Sequence, residues 1–176
     1  MRLIPALLAA LLVAACSSQP PAPEQDPAGV ESRTPRSAET RPVQSDDFDP
    51  QSVAALKDPR SILSKRSVYF DYDSYVVKDE FKALIEAHAR FLVANPKAKM
   101  LIQGNADERG SREYNLALGQ KRADAVKKAL QLLGAREAQM ESVSLGEEKP
   151  QCAEATEDCW AKNRRGDMLH SAANEF

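Results

Sequence analysis

The placement of proline and of large apolar residues constrains this chain more than any other feature. Residues 17–50 carry seven of the eleven prolines, and their only large apolar residues are Val30, Val43 and Phe48. Such a stretch cannot bury enough surface to offset the entropy lost on ordering. It reads as a disordered tether that reaches about 110 Å when fully extended and averages about 30 Å as a flexible coil. The hydrophobic core must come from the residues beyond this segment. In 176 residues that leaves one domain with an appendage and excludes a two-lobed enzyme. A formal charge of −2 gives no global attraction to polyanions, so no nucleic-acid partner is expected. No apolar run reaches the roughly 18 residues that span a bilayer, which excludes a polytopic membrane protein.

Residues 1–15, MRLIPALLAALLVAA, place one Arg before a short apolar stretch that ends in small residues, the pattern of a secretory signal. Val13, Ala14 and Ala15 followed by Cys16 resemble the bacterial lipoprotein box. That resemblance implies cleavage before Cys16, a lipid on its sulfur and an acylated amine, an anchor held by more than one chain. Ser17 follows, where lipoproteins kept on the inner membrane typically carry Asp, which points to the outer membrane and its periplasmic face. With Cys16 lipidated, Cys152 and Cys159 remain. In an oxidising compartment a disulfide is expected of them. Its loop of 8 residues would contribute about 2.5 kcal/mol. The alternative is a metal site, but the chain has two histidines and no second cysteine pair, so no metal is assigned.

The expected divisions are a signal peptide over 1–15, a lipidated cysteine and tether over 16–66, and a domain over 67–176. A short helix is expected in the shoulder at 51–66. From residue 67, SVYFDY alternates with Val68, Phe70 and Tyr72 on one face, a strand. Phe81, Leu84, Ile85, His88, Phe91 and Leu92 recur at helical spacing, and Pro96 ends that helix at Asn95. Met100 and Ile102 share a face of a second strand. Leu116, Ala123, Val126, Leu130 and Leu133 mark a second helix, with Gly134 at its C-terminal cap. MESVSLG is a third strand, followed by a loop with the cysteine pair and a weak strand near 164–170. The fold class is α+β, in the order β-α-β-α-β-β, with two helices covering one face of a sheet.

The stretch from Gly104 to Leu130, GNADERGSREYNLALGQKRADAVKKAL, carries the candidate site. Asn105, Asp107, Glu108 and Arg109 follow a strand, where polar groups are well placed for binding. Asp107 and Arg122 lie fifteen residues apart, before and on the second helix. On charge alone, a plain surface salt bridge explains them as well as a site does.

The turn ADERG, the pair Tyr114–Asn115, LALGQKRA, SLGEEKP, VYFDYDSY and KNRR together resemble the peptidoglycan-associated lipoproteins (Pal) of the Tol–Pal system, a branch of the OmpA-like domain family. The likeness covers about residues 67–165. It implies an OmpA-like two-layer sandwich and an outer-membrane lipoprotein that holds peptidoglycan non-covalently through the meso-diaminopimelate of its stem peptides. It also implies a role in envelope integrity and in constriction at division, with TolB as a second partner and TolA reached indirectly. No cofactor is implied. By position, Asp107 would accept the ligand's ammonium and Arg122 would grip its carboxylate through the planar guanidinium. Tyr72 and Asp73 would rim the pocket, and Asn115 and Leu118 would shape it. Arg164 and Arg165 match a further pair of the family pattern, or are surface charges on a weak strand. On this reading Asp107→Ala and Arg122→Ala leave melting unchanged, and the cysteine pair lies outside the site.

Some positions depart from the pattern. Asn105 stands where many relatives have His, and an amide does not titrate near neutral pH. Ser74 replaces a common Lys. Gly166 weakens the last strand, so the sheet edge is expected there. The enzyme alternatives match poorly. FDYDSY resembles the start of a haloacid-dehalogenase-type motif, which would make a periplasmic phosphatase of Asp71 and Asp73, but Tyr75 stands where Thr or Val is wanted. A calcium loop from Asp71 would place Val76 and Lys82 where Gly and Glu are required. Asp107 and Glu108, adjacent in a turn, do not flank a scissile bond as a muramidase needs. No catalytic residue is assigned.

Overall fold

The computed structural model of the chain describes residue 49 and residues 51–176. The expected signal peptide, Cys16 and nearly all of the proline-rich segment lie outside the described residues. Among the described residues, no helix is long and apolar enough to cross a membrane.

Among the described residues, four strands and three helices alternate: β1 (Ser67–Tyr69), α1 (Lys82–Ala94), β2 (Met100–Asn105), α2 (Arg112–Leu132), β3 (Met140–Gly146), α3 (Glu157–Asn163) and β4 (Arg165–His170). The sheet order is β1-β4-β2-β3. β2 and β3 run parallel, so they need a crossover, and α2 supplies it. β4 runs antiparallel to both its neighbours. One face of the sheet is buried. Met100, Ile102 and Gly104 of β2 sit opposite His170, Met168 and Gly166 of β4, and Gly166 sits opposite Val68 of β1. The other face, with Leu101, Gln103, Asp167 and Leu169, is only half covered. This is the expected two-layer α+β sandwich.

Local chemistry sets the helix ends. Ser111 caps α2 by accepting from the Tyr114 N–H, and Gly134 follows its last residues at a φ of +97°. α1 stops at Asn95, ahead of Pro96, as the sequence requires. The buried stripe of α2 is Asn115, Leu118, Gly119, Arg122, Ala123, Val126 and Leu130. Leu116 and Leu133, expected in that stripe, are exposed: Leu116 sits next to the stripe's Asn115 and turns to solvent, and Leu133 lies past the last helical residue, Leu132.

Other expectations need correction. β1 ends at Tyr69, because Asp71–Ser74 closes a turn in which Asp73 takes a φ of +52°. Phe70 stays buried while Tyr72 swings out to solvent. The last strand is not an edge. β4 sits inside the sheet between β1 and β2, and Gly166 is useful there because Val126 and Phe70 pack directly over it. The loop after β3 contains a helix, α3. Its signals are Thr156, whose hydroxyl accepts from the Cys159 N–H, two acidic residues in the first turn and Lys162 in the last.

The shoulder at 51–66 forms two single 3₁₀ turns, Val53–Leu56 and Ile62–Ser64, not an α-helix. Ala55, Leu56 and Leu63 join the same buried cluster as Phe91, Leu92, Met100, Ile102, Val126, Leu130 and Met168. The packed unit therefore takes in residues assigned to the tether, because three apolar side chains there find a place in the core.

Candidate functional site

Asp107 leaves the end of β2 in a turn, and Arg122 comes from the third turn of α2, on the face that meets the sheet. Both are buried, at 4% and 0% exposure, and no ion pair joins them among the described residues. The surface salt bridge is thereby excluded. The two side chains instead line one cavity of about 320 Å³ together with Tyr72, Asp73, Asn115 and Leu118. All six residues proposed from sequence for ligand contact meet there. Arg109, Gly110 and Tyr114 line it as well; of these, only Arg109 was marked by its place after a strand.

Arg122 is committed to the walls of the cavity. Its Nε donates to the Ser74 carbonyl at 2.8 Å, Nη1 to that of Asn105 at 2.8 Å, and Nη2 to that of Asp71 at 3.2 Å. One guanidinium thus ties the 71–74 turn to the end of β2. The Phe70 ring lies 5.3 Å from its Cζ. Burial pulls the Arg122 pKa down to about 10, against the raising influence of Asp107. Three of its five N–H groups are spent, and two remain. The expectation that Arg122→Ala leaves stability unchanged does not survive this geometry.

Asp107 is held by two arginines. Its Oδ1 accepts from Arg109 N at 3.0 Å and Nε at 3.2 Å, and its Oδ2 from Arg109 Nη2 at 2.7 Å and Arg164 Nη1 at 3.3 Å. Burial pushes this carboxyl up. The bonds from Arg109 and Arg164 outweigh it and hold the pKa below the usual carboxylate value. Arg164 is therefore no loose surface charge. Its Nε also donates to the Phe70 carbonyl at 3.1 Å. Arg165 is buried too, bonded to Asp167 at 2.9 Å and to the Lys149 carbonyl at 3.2 Å, away from the cavity.

Asp73 is exposed at the rim and accepts from the Tyr114 hydroxyl, which raises the tyrosine's pKa. Asn115 donates to Glu147. Asn105 turns its amide to the Gln103 carbonyl at 3.2 Å and to Asp167 at 3.3 Å, and it does not line the cavity. Ser74 contributes its carbonyl to Arg122 rather than its side chain.

Sequence reasoning missed the aromatic clamp on Arg109. The guanidinium lies 4.2 Å from the Tyr72 ring and 4.2 Å from the Trp160 ring. Trp160 is the only tryptophan of the chain, and its Nε1 donates to Glu108 at 3.0 Å. Glu157, on the same short helix, bonds to Arg109 at 3.3 Å and to Arg164 at 2.6 Å. A helix started at Thr156 would have put Glu157 and Trp160 on one face, three residues apart. Cys152 and Cys159 form a disulfide with a Cα–Cα distance of 5.2 Å. Among the described residues, no group of three His, Cys, Asp or Glu side chains is arranged to hold a metal ion.

Comparison with known proteins bears on the same segment. Residues 69–164 match the OmpA family. The peptidoglycan-associated lipoprotein of Pasteurella multocida is 48% identical over 104 residues, which is 59% of this chain and 69% of that protein. The protein of the same name from Haemophilus influenzae is 46% identical over 104 residues, covering 59% of this chain and 68% of its own. The crystal structure of the peptidoglycan-associated lipoprotein from Burkholderia pseudomallei superimposes with a TM-score of 0.65 at 59% identity, over 66% of this chain and 98% of that one. The C-terminal domain of Helicobacter pylori MotB, 21% identical, shares the fold with a TM-score of 0.56 over 60% of this chain and 84% of its own.

Proposed function

The chain belongs to the OmpA family, and from that premise we propose that it is an outer-membrane lipoprotein that holds peptidoglycan non-covalently through meso-diaminopimelate. Its work is binding and not catalysis. The observation that carries this reading is the separation of two buried opposite charges. Asp107 and Arg122 line one cavity without pairing with each other. A cavity with a fixed anion and a fixed cation suits a zwitterion, and the free end of diaminopimelate is one, with an ammonium and a carboxylate on a single carbon. Asp107, kept ionised by its arginines, faces the ammonium, which takes the place of one of the four donors the carboxylate now carries. Arg122 directs its two remaining N–H groups at the carboxylate. The start of α2, next to Gly110, adds a favourable dipole for that anion.

Cys16 is the lipid anchor on this reading, and the proline-rich tether gives the domain its reach from membrane to wall. TolB is the second partner and TolA is reached through it, in support of envelope integrity and constriction at division. Tyr72 and Tyr114 line the cavity and are 61% and 47% exposed, so a protein that covers them would compete with the wall.

Sedimentation of the purified chain with sacculi tests the wall reading. Diaminopimelate-type sacculi should carry the wild type down and leave Asp107→Asn in solution. Lysine-type sacculi lack the carboxylate assigned to Arg122 and should retain little of either. Equal binding to both wall types would overturn the reading.

A further inference from the structure

By residue number, Cys152 and Cys159 stand well apart from Asp107 and Arg122. In space, the helix they brace reaches Arg109, which lines the cavity, and Arg164 behind it. α3 has seven residues, too few to hold a helix in water alone. Two devices hold it. The disulfide ties its first turn to the preceding loop. At its other end, Asn163 Oδ1 accepts from the N–H groups of Gln151 at 2.8 Å and Cys152 at 3.1 Å, while its Nδ2 donates to the Cys152 carbonyl at 2.8 Å.

The braced helix presents Glu157 and Trp160 to Arg109. Glu157 also bonds to Arg164. Arg109 and Arg164 are the two side chains that hold the Asp107 carboxylate. The chain of contacts therefore runs from the disulfide, through Glu157 and Trp160, to Arg109 and Arg164, and ends on Asp107. Asp107 has no other side-chain donor among the described residues.

We propose that α3, locked by the Cys152–Cys159 disulfide, is the positioning element of the binding cavity. Glu157 and Trp160 are its positioning residues, and opening the disulfide weakens capture of an ammonium-bearing ligand. This rests on the diaminopimelate reading and adds to it a dependence on redox state. Opening the bridge needs a dithiol reductant. Its thiolate attacks one cysteine sulfur, and its second thiol closes the exchange. Two electrons and two protons pass to the protein, leaving Cys152 and Cys159 as thiols and the reductant as a disulfide. The loop is then free of its covalent tie, and α3 is left to the Asn163 bonds, its cap and the contacts of Glu157 and Trp160 themselves.

The test uses the full chain and a soluble muropeptide whose tripeptide stem ends in meso-diaminopimelate, with affinity read by calorimetry. Reduction with dithiothreitol, Cys152→Ser with Cys159→Ser, Glu157→Gln and Trp160→Leu should each weaken binding by about tenfold, the scale expected when a contact is displaced by a fraction of an ångström. Trp160→Phe, which keeps a stacking ring, should recover most of the loss. The Arg109 Nε–H resonance supplies a second readout. It sits between two aromatic rings, and in every weakened sample it should move toward the position of a free arginine. Unchanged affinity and an unmoved resonance after reduction would overturn the proposal. Should the reduced chain unfold, Glu157→Gln with the bridge intact decides: weaker binding supports the proposal, and wild-type binding overturns it. If the oxidised wild type fails to bind the muropeptide, the ligand reading falls, and the Arg109 resonance alone decides whether α3 positions that side chain.

Discussion

Gly104 on β2 and Gly119 on α2 meet backbone to backbone: a Cβ built on Gly104 would lie 1.8 Å from the Gly119 carbonyl oxygen. The contact is two-sided, since a Cβ on Gly119 would lie 2.3 Å from Ser144 Oγ and 2.7 Å from the Gly104 oxygen. α2 can sit this low on the sheet only because both positions lack a side chain. That depth brings Arg122, three residues further along, within reach of the Asn105 carbonyl.

Gly104→Ala should therefore be costly. The obstacle is main chain and cannot rotate aside, so the helix must lift. A loss of about 3 kcal/mol or more is expected, read as a lower urea midpoint. Binding to sacculi should fall with it, because Arg122 moves with the helix.

Arg122→Ala and Asp107→Asn should separate stability from binding. The first removes a buried cation from three backbone carbonyls. It should destabilise the fold by about 3–5 kcal/mol. The second keeps the shape of the side chain and two acceptor lone pairs, and should lose stability too but less than the first, because Glu157 still pairs with both arginines. Its affinity for diaminopimelate should drop by about 30-fold or more, as expected when a charge-assisted partner is lost. Urea denaturation and calorimetry on the same samples check both outcomes.

A buried histidine pair sets an acid limit on stability. His88 Nδ1 and His170 Nε2 are 2.8 Å apart, and His88 Nε2 is 2.9 Å from the Lys65 carbonyl. The carbonyl only accepts, so His88 donates to it from Nε2 and accepts from His170 at Nδ1. Both rings are then neutral. Burial pulls the pKa of His88 down to about 4 and that of His170 down to about 2, with Arg66 opposing protonation of both and Glu175 favouring it at His88. The unfolded chain takes up protons near pH 6.5, so the stability from these groups is complete above that value. It is lost as pH falls toward 4 for His88, and further down for His170. Urea midpoints should hold steady above pH 7 and fall between pH 6.5 and 4. The expected loss is several kcal/mol, about 1.4 for each pH unit and group. His88→Leu combined with His170→Met should flatten the curve over that range.

Intact-mass measurement of the membrane-extracted protein should show a chain that begins at Cys16 and carries added acyl mass. A free Cys16 thiol would remove the anchor from the proposed function.

Local patterns determined much of this protein. The alternation at Val68 and Phe70, the spacing from Leu84 to Leu92, the stop at Asn95 and the cap at Gly134 are decided by neighbours a few residues away, and the structure keeps them. The grouping of Tyr72, Asp73, Asp107, Asn115, Leu118 and Arg122 was legible because a resemblance supplied what periodicity does not. Other features belong to the tertiary structure alone. Gly166 reads as a flaw in an edge strand until β4 is seen in the middle of the sheet with Val126 and Phe70 above it. Leu56 and Leu63 read as tether until the core offers them room. Whether Asp107 and Arg122 pair, whether an arginine is spent on carbonyls, and whether a tryptophan near the C-terminus stacks on a turn fifty residues earlier all depend on which surfaces meet. Hydrogen bonds and ring stacks act over a few ångströms of space, whatever the distance along the chain, and only the folded packing brings those groups that close.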